Sequence, residues 1–436
     1  MLGDDTVTRL LDERGLADWR ALAASRLYAR AVADGRLIAS TETEPPADAA
    51  GAVIHPRLPF VSYPFEWTFS MLRDAAVLQL DLMEAALAEG LVLKDATPYN
   101  IQFPDGRPQF IDVGSFETYR KGEPWVGYRQ FCRQFLYPLL LRAWTGVPFQ
   151  PWLRGDPEGP TSVQMSRMLP LRHRLSPAAV LHVGLQARAE TRMQGEAVRT
   201  SLSEAGFSSD LILSNIRKLR SLVGSLRWER SEGAWADYQE CDHVARDRDR
   251  KSRFLSSALE AVSPAMVLDL GANDGHFSRL AVEAGSVAVA VDGDEAVLDR
   301  LYRSLSPGTR LIPVLADLSN PSPSQGWAGT ERPGLFERAR PQLVVAYGLI
   351  HHLIYTASVP PRQVMEWLAS LDAPVVVEFV APEDPMVARL TANKRPEELH
   401  PGRDRDSFER IVGALFRVVD RADLPGGTRH LYHLAR

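Results

Sequence analysis

Three aspartates close three successive apolar runs in the second half of the 436-residue chain: Asp269 in MVLDL, Asp292 in VAVAVD and Asp317 in LADL. Runs that end this way read as strands of an open α/β sheet, whose ligands bind beyond the carboxyl ends of the strands. The three carboxylates therefore face one crevice. After the first run comes the loop GANDG at 271–275. It must turn sharply and let a ligand approach the backbone, which Gly allows and Asn tolerates through its ease with positive φ. An acid roughly 20 residues beyond a glycine loop, here Asp292, is placed to accept hydrogen bonds from both hydroxyls of a ribose. A pyrophosphate does not suit the loop. His276 stands where a third glycine would allow close helix packing, and Asp269 and Asp274 flank the position where phosphate would be repelled. Acids around a glycine loop suit a ligand with a ribose, an amino group and a positive sulfonium, the combination found in S-adenosylmethionine (SAM).

After Pro264, apolar runs of strand length (265–270, 287–291, 310–315, 342–347 and 374–379) alternate with helical stretches at 276–285, 294–304, 361–371 and 385–394. Unalternating Val/Leu/Ile runs separated by helices predict a parallel sheet covered on both faces. The chain then changes rhythm. A helix at 405–416 precedes 417–421 and 429–434, two strands joined by LPGG and so an antiparallel hairpin.

In this order the segments resemble a class I SAM-dependent methyltransferase: VLDLGANDG its first motif, VDGD its second, ADL its third, LVVAYGLIHHL its fourth strand, VVVEFV its fifth, and the hairpin its reversed terminal strand. The resemblance implies an α/β, Rossmann-like sheet of six parallel strands and one antiparallel terminal strand. It implies that Asp269, Gly271, Asn273 and Gly275 hold the methionine part of SAM, with Asp274 and Tyr347 beside them, Asp292 the ribose and Asp317 the adenine amine. Tyr238 and Lys251, on a helix entering the domain, would close the cofactor pocket; packing is the alternative for the aromatic residues of that helix. In-line methyl transfer gains mainly from positioning, so a general base is optional. Candidate bases are His351 first, then His352 and Glu378, because a histidine titrates near working pH; capping or packing is the alternative for each histidine. No D/N-P-P-Y loop and no cysteine near the site are present, which argues against methylation of nucleic acid.

The first half carries another pattern. In LVLKDATPYNIQFPDGRPQFIDVGSFE, Asp95 and Asn100 precede Asp112-Val113-Gly114, similar to the catalytic and metal-binding loops of protein-kinase-like folds. The departures are large: Leu93-Lys94 replaces His-Arg, no Gly-rich phosphate loop comes before, and no lysine precedes Lys94. A truncated, mainly helical kinase-like α+β domain is implied, serving structure or substrate docking, with phosphotransfer as the alternative. Residues 1–40 are expected to be helical, 42–59 loop, 66–89 helix, Leu91–Leu93 and 109–113 strands, and 128–145 helix. With YPFEW, LKDATPYN and IDVGSFE, the whole chain is similar to nodulation host-specificity methyltransferases of the NoeA type.

Composition bounds these readings. Hydrophobic residues make up 45% and charged residues 24%, which excludes global disorder and fibrous repeats. A net charge of -5 suggests no nucleic-acid partner. Two cysteines without metal-ligand spacing predict neither a disulfide framework nor a metal site. The start lacks the apolar core of a signal peptide, and Pro138 interrupts the longest apolar stretch, so no membrane partner is expected. The expectation is a cytoplasmic SAM-dependent methyltransferase acting on an oxygen or nitrogen atom of a small-molecule substrate, compatible with a homodimer, with a bifunctional methyltransferase and phosphotransferase or a non-catalytic SAM-fold scaffold as the alternatives. Its parts would be a kinase-like domain at 1–160, a helical connector and cofactor-site lid at 161–255, and the methyltransferase domain at 256–436.

Overall fold

The computed structural model describes residues 5–192, 209–228 and 242–436, with side chains omitted at 189–192 and 242–246. The chain divides into two compact units, Met1–Glu229 and Arg230–Arg436. The helices between 162 and 225 fall in the first unit, and the helix that enters the sheet domain falls in the second.

In the first unit, the expectation of helix at 1–40 and loop at 42–59 is corrected. Thr6–Leu11 is a strand, paired antiparallel with Gly51–Pro56, which also pairs with Thr41–Thr43. Helices Glu13–Ala23 and Arg26–Ala33 lie between these strands, each started by a side-chain cap, Asp12 and Ser25 respectively. The Ala-rich composition masked TVTRLL, whose β-branched residues Thr6, Val7 and Thr8 find their partners only at Pro56, His55 and Ile54. Helix Phe69–Ala88 forms as its spacing predicts and buries Met71, Leu72, Ala75, Leu78, Leu82 and Ala86. Leu91–Leu93 is a strand and pairs with Phe116–Thr118. Only Gln109–Phe110 of the run 109–113 pairs, with Ile101–Gln102; Asp112 begins the short turn Val113–Ser115. The helix expected at 128–145 is continuous but widens into a π turn at Cys132–Leu136. Pro138, which has no N–H to donate, follows at once.

The second unit opens with helix α1 (Asp242–Val262) and holds a seven-stranded sheet. Its strands are β1 (Met266–Leu270), β2 (Val287–Asp292), β3 (Leu311–Leu315), β4 (Leu343–Ala346), β5 (Val375–Val380), β6 (Arg417–Asp423) and β7 (Arg429–Ala435), in spatial order β3-β2-β1-β4-β5-β7-β6. The first five are mutually parallel, and β7 runs against both β5 and β6. Six strands thus share one direction and the terminal strand is reversed. All of β1, β4 and β5 is buried, as unalternating apolar runs require. Helices α2 (His276–Glu283), α3 (Glu295–Ser304), α4 (Ile350–Tyr355), α5 (Pro361–Ser370), α6 (Pro385–Thr391) and α7 (Arg405–Leu415) connect them. The chain order turns back between β1 and β4, which leaves a crevice at their carboxyl ends. Among the described residues, no helix is long and apolar enough to cross a membrane.

Candidate functional site

The loop after β1 has the backbone its residue types predict. Gly271, Asn273 and Gly275 all take positive φ, at 78°, 49° and 75°. Gly271 and Ala272 donate their N–H groups to the Val291 carbonyl at 2.9 and 3.0 Å, which ties the loop to β2. Asp292 laces it further. Its Oδ2 accepts the Asn273 N–H at 2.9 Å and its Oδ1 the Asp294 N–H at 2.8 Å. Each carboxylate oxygen keeps lone pairs for further donors. Burial pushes the Asp292 carboxyl up from its usual range, while those backbone N–H groups pull it back. The Asn273 Oδ1 is buried without a hydrogen-bond partner among the described residues.

Gly275 also meets a packing demand. A Cβ there would lie 2.6 Å from Leu301 Cδ1, a buried side chain of α3. Gly275→Ala is expected to cost about 1–2 kcal/mol for the left-handed backbone, with overpacking against Leu301 added. A lowered urea midpoint would register it; an unchanged midpoint would contradict it.

The other sequence candidates take distinct places. Asp269 is buried in β1, where its Oδ2 accepts the Ser278 hydroxyl at 2.6 Å and braces α2. Burial pushes its carboxyl up to about 7. Asp274 is exposed and pairs with Arg248 of α1 at 3.0 Å. Asp317 is exposed just past β3; its Oδ1 accepts the N–H and hydroxyl of Ser319 at 2.9 and 2.6 Å. Tyr347 is buried, its ring edge-on to Phe277 at 4.7 Å and its hydroxyl on the Lys251 carbonyl at 3.2 Å. Tyr238 lies outside the described residues, while Phe254, an aromatic residue of α1, is buried in the core.

Lys251 and Glu378 meet. The Lys251 ammonium sits 2.8 Å from Glu378 Oε2, which also accepts the Gly348 N–H at 2.7 Å. Arg429 reaches Glu378 Oε1 at 3.4 Å and holds Asp384 in a two-bond fork at 2.9 and 3.1 Å. Arg429 and Asp384 escaped the sequence reading, although a lone arginine opening the last strand beside acid-bearing β5 was a usable signal. Burial would push Glu378 up, but Lys251 and Arg429 overcome it and hold the carboxyl below its usual range.

His351 and His352 open α4, their rings 4.2 Å apart. His351 is 1% exposed, and neither ring nitrogen has a hydrogen-bond partner among the described residues. Burial first, then His352, pulls it well below the ordinary histidine value. Burial pushes His352 down to about 4. Both rings are therefore neutral at neutral pH.

In the first unit, Asn100 and Asp112 converge on Ser115. Asn100 Nδ2 donates to the Ser115 hydroxyl at 2.9 Å, which donates to Asp112 Oδ2 at 2.6 Å. Arg9, from the strand Thr6–Leu11, forms an ion pair with Asp112 Oδ1. Gly114 leaves it room, because a Cβ there would lie 2.6 Å from Arg9 Nη1. Burial and then the Asp112 charge raise the Asp95 carboxyl. Tyr63, Phe65 and Trp67 of YPFEW, before this segment, and Trp125 and Phe131, after it, are buried as core.

No family model matches the chain. Among solved structures, it is similar to the N-methyltransferase NodS from Bradyrhizobium japonicum WM9 in complex with S-adenosyl-L-homocysteine, at 12% identity and a TM-score of 0.33, covering 46% of this chain and 92% of that one. The bifunctional kinase-methyltransferase WbdD is similar at 17% identity and a TM-score of 0.32, covering 50% and 46%. The nodulation protein NoeA of Rhizobium meliloti (strain 1021) is 32% identical over 445 residues, which take in 99% of this chain and 92% of the relative. Over essentially its full length, the chain belongs to the NoeA family of nodulation proteins.

Proposed function

We propose that the second unit is a SAM-dependent methyltransferase acting on an oxygen or nitrogen atom of a small molecule. The observation that carries this reading is the laced loop at the ends of β1 and β2. There the Asp292 carboxylate keeps free lone pairs, and the buried Asn273 Oδ1 has no partner among the described residues. Both are acceptors, and they suit the hydroxyls and ammonium of SAM better than a phosphate. When bound, SAM supplies an electrophilic methyl group on a positive sulfur. Asp292 then holds the ribose, Asn273 and the loop backbone the amino-acid end, and Asp317 the adenine amine. Glu378, fully engaged by Lys251, Arg429 and Gly348, acts as a positioning residue that ties α1 and β7 to the turn after β4. Titration with S-adenosylhomocysteine tests the reading directly: binding at sub-millimolar levels supports it, and no binding overturns it.

His351 is the group that would take the acceptor's proton, since its neutral ring keeps an unshared electron pair. His351→Gln is expected to lower turnover about 100-fold or more while leaving S-adenosylhomocysteine affinity within about twofold. Because the folded His351 pKa is depressed, the neutral form persists as pH falls through the ordinary histidine value. Turnover should stay level between about pH 6 and pH 8. Unchanged turnover in the variant would reduce the ring to packing.

For the first unit we infer a kinase-like remnant used for structure or substrate docking rather than phosphotransfer. Arg9 and Ser115 occupy the carboxylate oxygens of Asp112 that a metal-bound phosphate donor would need. Calorimetry with ATP and magnesium should register no binding. Magnesium-dependent ATP turnover that disappears in Asp112→Ala would establish a bifunctional enzyme instead.

A further inference from the structure

His351 cannot meet an acceptor in this conformation. A base must come within about 3 Å of the proton it takes, yet the ring is buried and the space beside it is about 10 Å3, room for one water molecule. The walls of that space differ in how firmly they are held. Ile350, Phe379 and Phe408 belong to the buried core. Gly402 and Arg403 belong to the segment between α6 and α7. None of residues 392–406 is buried, whereas Val387 in α6 and Phe408 in α7 anchor the two ends of the segment in the core. A stretch with so little buried surface opens at low free energy.

Few bonds hold it down. Lys394 Nζ donates to the Ser358 hydroxyl at 3.0 Å, and His400 Nε2 to the Ser358 carbonyl at 2.8 Å. Ser358 itself, in the turn between α4 and α5, has a φ of 54°, a left-handed backbone that costs a serine energy. The Arg403 guanidinium stands 5.9 Å over the Tyr355 ring. Within the segment, Glu398 accepts the Arg395 N–H at 2.8 Å and caps the turn Pro396–Glu398, so part of it can move as a unit. Closure also leaves both His351 nitrogens without a partner among the described residues. Opening gives them water and removes that cost.

We propose that residues 392–403 form a lid over His351, caught on Ser358, and that the lid swings away from the turn between α4 and α5 to admit the methyl acceptor. What the opening admits rests on the methyl-transfer reading above; the lid itself does not. Gly402, with a φ of 75°, takes the left-handed backbone that lays the segment against the ring.

Two rates measured by mass spectrometry on the full-length protein test the lid: amide hydrogen exchange, and carbethoxylation of His351 by diethylpyrocarbonate, with fragmentation separating it from His352. The double variant Lys394→Ala/His400→Ala releases the catch. Its amides at 392–404 are expected to exchange about tenfold faster than wild type, and His351 to react faster by a similar factor. Gly402→Ala should do likewise. Its Cβ would meet the Ser407 Cβ at 3.6 Å, an ordinary contact, so the strain of the left-handed backbone falls on the closed form. Unchanged exchange in β5 reports that both variants are folded. Three results overturn the lid: unchanged exchange at 392–404 in both variants, a loosened segment with His351 reacting at the wild-type rate, or a wild-type His351 that already reacts as fast as free histidine. Titration with S-adenosylhomocysteine separates the two readings. If the rates rise together and S-adenosylhomocysteine does not bind, the lid stands and the methyl-transfer reading falls; if it binds and the rates are uncoupled, the lid falls alone.

Discussion

Arg429→Met is expected to destabilise the second unit by about 3–5 kcal/mol, because removing one partner from a buried ion network strands the charges that remain. Arg429 forks onto Asp384 and reaches Glu378, whose side chains are 4% and 0% exposed. After the substitution Glu378 keeps Lys251 and the Gly348 N–H, and Asp384 keeps the Thr428 hydroxyl and the Met386 N–H. Those bonds place the loss toward the lower end of the range. In urea the midpoint should fall by roughly 1–2 M, given the usual slope for domains of this size. The pH dependence follows from the same groups. Burial alone would raise Glu378 and Asp384, but their cationic and hydrogen-bonding partners leave both folded carboxyls below their usual values. A depressed folded pKa stabilises the protein above the unfolded carboxylate pKa, near 4, and that contribution is lost as pH falls through the folded value. The variant should therefore lose less stability than the wild type on acidification from about pH 5. A midpoint within error of wild type would show that the network adds nothing to the fold.

The sheet was legible because burial on both faces leaves a strand few polar positions, Asp269 and Glu378 being the exceptions in β1 and β5, so the runs from 265 to 380 stand out as unalternating apolar stretches. The glycine loop was legible for a similar reason. Positive φ at 271, 273 and 275 demands residue types that stand out in a row. Partnerships between distant side chains were not. Glu378 reads as a strand-end acid available for proton transfer, and only the register that sets Val380 opposite Arg429 shows why its carboxylate is already engaged. Asp269 and Asp292 look equivalent in sequence. One braces a helix through Ser278 while the other laces a loop, because one side chain points into the packed interior and the other reaches neighbouring backbone N–H groups. In the first unit, the strand Thr6–Leu11 exists through pairing with Gly51–Pro56, and a local window around TVTRLL contains none of that partner.

Asp292→Ala is expected to weaken S-adenosylhomocysteine binding by about 1.5–3 kcal/mol, roughly 10–100-fold, the usual effect of losing hydrogen bonds to a charged group. Two losses combine. The ribose would lose its acceptor, and the N–H groups of Asn273 and Asp294 would lose the carboxylate that arranges the loop. Asp292→Asn separates these contributions. An amide keeps one oxygen acceptor but presents a donor where the other oxygen stood, so it must lose one of the two backbone bonds or turn its NH2 against a donor. If charge and ribose contact dominate, the two variants should weaken binding similarly. If loop order dominates, alanine should be the worse of the two and should also make the Asn273 amide exchange faster with solvent. Acid supplies an independent check. Because burial raises the Asp292 carboxyl, wild-type affinity should begin to fall at higher pH than an ordinary aspartate would allow, and the alanine variant should lack that dependence. Equal dissociation constants in wild type and Asp292→Ala would remove the carboxylate from the binding site and with it the role assigned to the β2 edge.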